Sequence, residues 1–217
     1  SKKYQNPMKL NTIQHKNYET NLPKEGNYII GQKSGENIYV YQAFNDKIAD
    51  FACKNQQFGG PDYSFSRMTW IKPNFLWMMY RCGWGQKDVN QQRVLALEIS
   101  FTGFEELLSE GVITSYVDST ETIQAWRDKL NSSNVRIQWD PDHDYKGSKL
   151  KRRAVQIGIK NEALQKFNNS YLKSIIDITE FVKEQKSNID NNKPFFVIEE
   201  TVIEVSEDLK RRFSIYN

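Results

Sequence analysis

The chain has 217 residues, enough for one domain of ordinary size with a modest excess. Only 38% of its residues are hydrophobic, yet 28 are Phe, Trp or Tyr, so few but large side chains can still fill a core, and disorder is excluded. Thirty basic against 27 acidic side chains leave +3, too near balance to announce a polyanion partner, so any basic surface must be local. No apolar run approaches the ~18 residues of a membrane span, and no apolar stretch follows the charges of Ser1-Lys2-Lys3. The expected protein is therefore free of membranes and cytoplasmic, with a secreted effector left open. Cys53 and Cys82 stand 29 residues apart without a C-x-x-C, which argues against a disulfide scaffold or zinc finger. With His15 and His143 as the sole histidines, a His-rich metal site is impossible, and no metal is expected.

In chain order, residues 1–25 are polar without period and read as an extended N-terminal arm, leaving 26–217 as a single domain. Residues 27–30 and 38–44 are β-rich runs flanking Gly31-Gln32-Lys33-Ser34-Gly35, which predicts a hairpin. Residues 46–58 carry apolar side chains at helical spacing and stop at Gly59-Gly60-Pro61. Pro73 then closes a short strand and opens an apolar helix that Gly83 terminates; being apolar almost all round, that helix should be buried. Further on come a strand at 94–101, short helices at 103–110 and 120–130 (the latter capped by Ser119 or Thr120), and strands at 134–139 and 154–159 around a charged loop. Residues 162–186 read as one or two amphipathic helices, and 195–205 as a final strand before an acidic-then-basic tail. Strands and helices intermix without βαβ alternation, so the expected class is α+β.

No phosphate signature is present: the Gly31-to-Gly35 turn matches neither the Rossmann nor the P-loop pattern. Asp140-Pro141-Asp142-His143-Asp144 fits a solvated turn or a carboxylate held at a strand end for catalysis. As a calcium loop it lacks the glycine at position six and the glutamate at position twelve. Lys146, Lys149, Lys151, Arg152 and Arg153 read as a solvated basic loop or as a contact surface for phosphates. Arg67 and Arg81 sit inside apolar segments, where each wants a carboxylate or a phosphate. Trp70, Trp77, Tyr80, Trp84 and Trp139 are core residues taken singly, but their concentration around Arg67, Thr69, Lys72 and Gln138 points to a lined pocket.

The run Arg67-Met68-Thr69-Trp70-Ile71-Lys72-Pro73-Asn74-Phe75-Leu76-Trp77-Met78-Met79-Tyr80-Arg81 with Gly83-Trp84 carries a family likeness. So, in order, do Val40-Tyr41-Gln42-Ala43-Phe44, Gln138-Trp139-Asp140-Pro141 and Val155-Gln156-Ile157-Gly158. Over about residues 27–185 the chain resembles a bacterial and fungal domain family of unknown function. The order of its elements is similar to a divergent ADP-ribosyltransferase. That resemblance implies split mixed and antiparallel sheets with surrounding helices, NAD as substrate, and a macromolecular acceptor, protein favoured over nucleic acid. It implies Asp140 as the catalytic carboxylate with Gln138 beside it, and Tyr41, Gln42, Arg67, Thr69, Trp70 and Lys72 as NAD contacts. The chain departs from the pattern at three places: Gln42 stands where Arg or His is usual, Asp140 where Glu is usual, and Ile30 where relatives commonly carry Arg. Two alternatives stay open beside the transferase: a nucleic-acid-binding module using the 146–153 run, and a catalytically inactive interaction domain.

Overall fold

The computed structural model describes residues 9–117 and 121–216. The first half contains β1 (Thr12–Gln14), β2 (Gly26–Asn27), β3 (Ile30–Gly31), β4 (Lys33–Ser34), β5 (Asn37–Phe44), α1 (Asp46–Asn55), β6 (Thr69–Ile71) and α2 (Phe75–Cys82). Then follow β7 (Arg93–Ser100), α3 (Phe101–Glu110), β8 (Val112–Ile113), α4 (Ile123–Ser132), β9 (Val135–His143) and β10 (Lys149–Ile159). The chain continues through α5 (Asn161–Lys166), β11 (Leu172–Asp177), α6 (Thr179–Asp190), β12 (Phe196–Ile198), β13 (Thr201–Val202) and α7 (Glu207–Arg212). The class is α+β, with one antiparallel sheet, one mixed sheet and two small strand pairs among the described residues. No helix among them is long and apolar enough to cross a membrane.

The antiparallel sheet runs β4-β5-β7-β11, with Val40 opposite Leu97 and Gln42 opposite Leu95. Its two long strands are apolar at nearly every position because both faces are covered. Ile38, Val40, Leu95, Leu97 and Ile99 enter one core, while Tyr39, Tyr41, Val94 and Ala96 enter another. The first core is closed by α3 and by the apolar face of the mixed sheet, where Val135, Ile137, Val155, Ile157 and Ile159 alternate inward. The second is closed by α2 and α6.

α2 is as apolar as its sequence suggests. Phe75, Leu76, Trp77, Met78, Met79 and Cys82 are all buried, and Gly83 ends the helix at φ +56, a left-handed position glycine takes without strain. Its start is fixed twice. Asn74 accepts from Trp77 N at 2.7 Å, a cap worth about 1 kcal/mol. Phe75 N donates to both oxygens of buried Glu200 at 3.2 Å. Burial holds the Glu200 carboxyl well above the usual carboxylate range, and Tyr18 donates to it at 2.7 Å.

The mixed sheet runs β2-β10-β9-β8, with β6 also pairing β10. β9 and β10 are longer than their apolar segments foretell. The acidic turn and the basic run are strand over most of their length, joined by a short connection at 144–148. The reason is a pair of buried charges: Asp142 and Arg152 meet at 2.9 Å, and Glu19 closes on Arg152 from the N-terminal segment. That segment is accordingly no free arm from residue 9 onward. β1 pairs β12 in antiparallel register, and Leu10, Tyr18 and Leu22 are buried in the second core.

Four further expectations are corrected. The hairpin forms between β4 and β5, while residues 30–31 pair instead with β13. α1 ends at Asn55 with Gln56 left-handed, ahead of the glycines. α4 is capped by Thr122, donor Ala125 N at 3.1 Å; the anticipated caps Ser119 and Thr120 lie outside the described residues. Residues 162–186 hold β11 between α5 and α6, with a π turn at Phe167–Tyr171.

Candidate functional site

Besides packing through the first core, the two sheets share one isolated backbone bridge among the described residues: Tyr41 N donates to Lys72 O at 2.8 Å. Away from it β5 and β6 diverge, and the Gln42 side chain spans the gap, donating from Nε2 to Thr69 Oγ1 at 2.6 Å and to Trp70 O at 3.0 Å. A cleft of about 680 Å³ opens there. That is the size of a site for a nucleotide-sized ligand. The end of β5 gives it Gln42 and Asn45; the following loop and β6 give Arg67, Thr69, Trp70 and Lys72; α2 gives Met78 and Arg81; the turn at Val89–Gln91 gives Asn90 and Gln91.

Register explains which side chains share the wall. Trp70 faces Gly158, which faces Arg136, and Gln156 faces Gln138, so by strand alternation the polar residues of β6, β9 and β10 lie opposite the core face. Gly158 is needed for close approach. A Cβ there would stand 2.6 Å from Met68 Sδ and 2.9 Å from Trp70 Cη2.

The charges of the cleft are unusual. Arg67 and Arg81 are exposed rather than enclosed in apolar surroundings, and neither makes an ion pair among the described residues. Lys72 is buried with Nζ on Trp70 O at 3.1 Å; burial first, then the Arg81 charge, lowers its pKa to about 8. Asp88 and Asp62 lie on the same walls without pairing any of the three.

Of the residues anticipated from sequence, Gln42, Arg67, Thr69, Trp70 and Lys72 line this one cleft. Tyr41 does not; it is fully buried in the second core, edge-on to Phe75. Gln138 and Asp140 do not line it either. They lie on the same sheet face, where Asp140 accepts from Gln138 Nε2 at 3.0 and 3.3 Å and from Gln156 Nε2 at 2.8 Å, and its charge is felt at Lys72. The pocket expected from clustered tryptophans is mostly core: Trp77 and Trp84 are buried, Trp139 bonds Phe213 O, and among the five only Trp70 lines the cleft. His143 stacks on Tyr80 at 3.6 Å and His15 sits between Tyr145 and Phe195, so neither serves the cleft. Ile30 is buried in the second core. Asn45, Asn90 and Gln91 carried no signal in the sequence. Arg81 was legible only as an arginine wanting a partner.

Residues 28–204 match the family described as Domain of unknown function (DUF4291), and the chain belongs to it. No curated protein matches the chain.

Proposed function

We propose that this domain binds NAD in the cleft and transfers ADP-ribose to a macromolecular acceptor, a protein side chain favoured, with release of nicotinamide. One observation carries the reading: three cations without a carboxylate ion-pair partner among the described residues, Arg67, Lys72 and Arg81, meet an indole, a hydroxyl and an amide in a cleft of about 680 Å³. A dinucleotide supplies what these groups lack. Its pyrophosphate takes Arg67, from the loop before β6, and Arg81, from α2, and its planar base takes the Trp70 face. The buried Lys72 lies deeper.

The chemistry assigned to Asp140 follows from charge. As the bond from ribose C1′ to the nicotinamide nitrogen breaks, its electron pair goes to the ring and positive charge develops on the ribose. The acceptor nucleophile then bonds C1′ and loses its proton. A carboxylate fixed beforehand stabilises that charge. Asp140 stands off the cleft lining, on the same sheet face, fixed by the two amides of Gln138 and Gln156, so its charge acts on the ribose through space, as it does on Lys72. The test is incubation with labelled NAD and a lysate. Wild type should transfer label and release nicotinamide, and Asp140→Ala, which removes a charge acting through space, should lower the rate about tenfold. Absence of both label transfer and nicotinamide release from wild type overturns the proposal.

A second reading is favoured by one surface. Lys149, Lys151 and Arg153 are exposed at every second position of β10, none in an ion pair among the described residues, a row suited to a nucleic-acid backbone. It predicts binding that weakens steeply with salt and survives Asp140→Ala. Arg152, expected in the same patch, is spent on Asp142 and Glu19.

A further inference from the structure

The deepest polar atoms of the cleft show a mismatch that phosphate cannot answer. Gln42 Nε2 is committed to Thr69 Oγ1 and Trp70 O, and because a carbonyl only accepts, the amide cannot be turned round. Gln42 is 3% exposed, and its Oε1 is buried with no hydrogen-bond partner. An acceptor so placed costs about 1–3 kcal/mol until something donates to it.

Lys72 sits beside it. Its Nζ donates to the same Trp70 O, at 3.1 Å against 3.0 Å for Gln42 Nε2, so the two polar tips stand within about 6 Å of each other. An ammonium has three N–H groups, and that main-chain carbonyl is the one hydrogen-bond partner Nζ has among the described residues, with the Trp77 ring 6.0 Å away. The pair thus offers one acceptor, closed to solvent until the cleft wall shifts, and spare donors. Phosphate and carboxylate present acceptors alone and leave Gln42 Oε1 unanswered. A primary carboxamide presents an N–H and an oxygen from one planar group, and answers both.

We infer that Gln42 and Lys72 read the primary carboxamide of the nicotinamide ring, Gln42 Oε1 accepting its N–H and Lys72 Nζ donating to its oxygen. This rests on the NAD reading above. Trp70, held over Gly158, is positioned by the same segment to cover the ring.

The test exchanges one group of the ligand. In 3-acetylpyridine adenine dinucleotide a methyl replaces the carboxamide NH₂, removing the donor and keeping the oxygen. Calorimetric titration of wild type should give NAD an affinity about tenfold above the analogue. Gln42→Leu should abolish that preference, bind NAD about tenfold more weakly, and bind ADP-ribose, which has no nicotinamide, as wild type does. Should Gln42→Leu fail to fold, the wild-type comparison of the two dinucleotides decides alone. Equal affinity for NAD and the analogue overturns the inference while leaving NAD binding intact. Weaker ADP-ribose binding by a folded Gln42→Leu overturns it too, moving the pair to the ribose or adenine. Failure of wild type to bind any of the three sinks the NAD reading itself, and the inference with it.

Discussion

Two groups of cations in this molecule are held in opposite ways. Arg152, 2% exposed, meets Asp142 at 2.9 Å and the Glu19 carboxylate at 2.9 and 3.0 Å, and it donates to Pro23 O besides. Arg93 likewise gathers Asp46, Asp50 and Asp177. These arginines tie distant segments together and are complete within the chain. Arg67, Lys72 and Arg81 have no such partners among the described residues, although Asp62 and Asp88 stand on the same cleft. Cations satisfied inside the chain hold the fold. On the proposed reading, the cations left unanswered around the cavity hold a ligand, and their energetics should differ accordingly.

The largest expected contrast lies at Arg152. Arg152→Met leaves Asp142, 1% exposed, without its partner, and the account predicts a loss of about 3–5 kcal/mol in urea unfolding. Lys72→Met should do the reverse. A folded pKa of about 8 lies below the unfolded value of 10.5, so charged Lys72 opposes folding fully below pH 8. As pH rises from 8 to 10.5 the unfolded chain holds more protons, and stability rises. Lys72→Met should therefore raise stability at neutral pH by up to about 3 kcal/mol and flatten the pH dependence between those values. A wild type whose stability stays level across that window would contradict the assignment.

Gly158→Ala comes next. The added methyl has to displace Met68 or Trp70, for about 1–3 kcal/mol, and should weaken ligand binding in parallel; an unchanged melting curve would show that the contact yields freely. The smallest effect on stability belongs to Arg67→Ala and Arg81→Ala, each within about 0.5 kcal/mol of wild type in the same unfolding assay.

The legible parts of the fold were those whose pattern one segment settles by itself. β5 and β7 announce themselves as strands through their β-rich apolar runs, and α2 announces itself through its apolar length and Gly83. What stayed hidden depended on partners far along the chain. Residues 140–153 look like a solvated, charged loop because Glu19, 133 residues from Arg152, cannot be seen locally. β11 was masked because Leu172, Ile175 and Ile176 fall at spacings that fit a helix as well as a strand, and only the pairing with β7 decides. The candidate site was half legible for the same reason. Thr69, Trp70 and Lys72 lie together in one unusual motif, and Gln42 was placed beside them by family resemblance. The bridge between Tyr41 and Lys72 brings them to one cleft. That same bridge puts Tyr41 on the far side, in the core. Asn90 and Gln91 belong to a short turn whose sequence carries no sign of a cavity.

The most direct measurement is a calorimetric titration of NAD into wild type and into the Arg67→Ala, Arg81→Ala double variant, with the unfolding midpoints of both taken alongside. The account predicts saturable binding to wild type and a loss of at least about tenfold in the double variant, with the midpoints nearly equal. No saturable binding to wild type, or equal affinity in the two proteins, would contradict it.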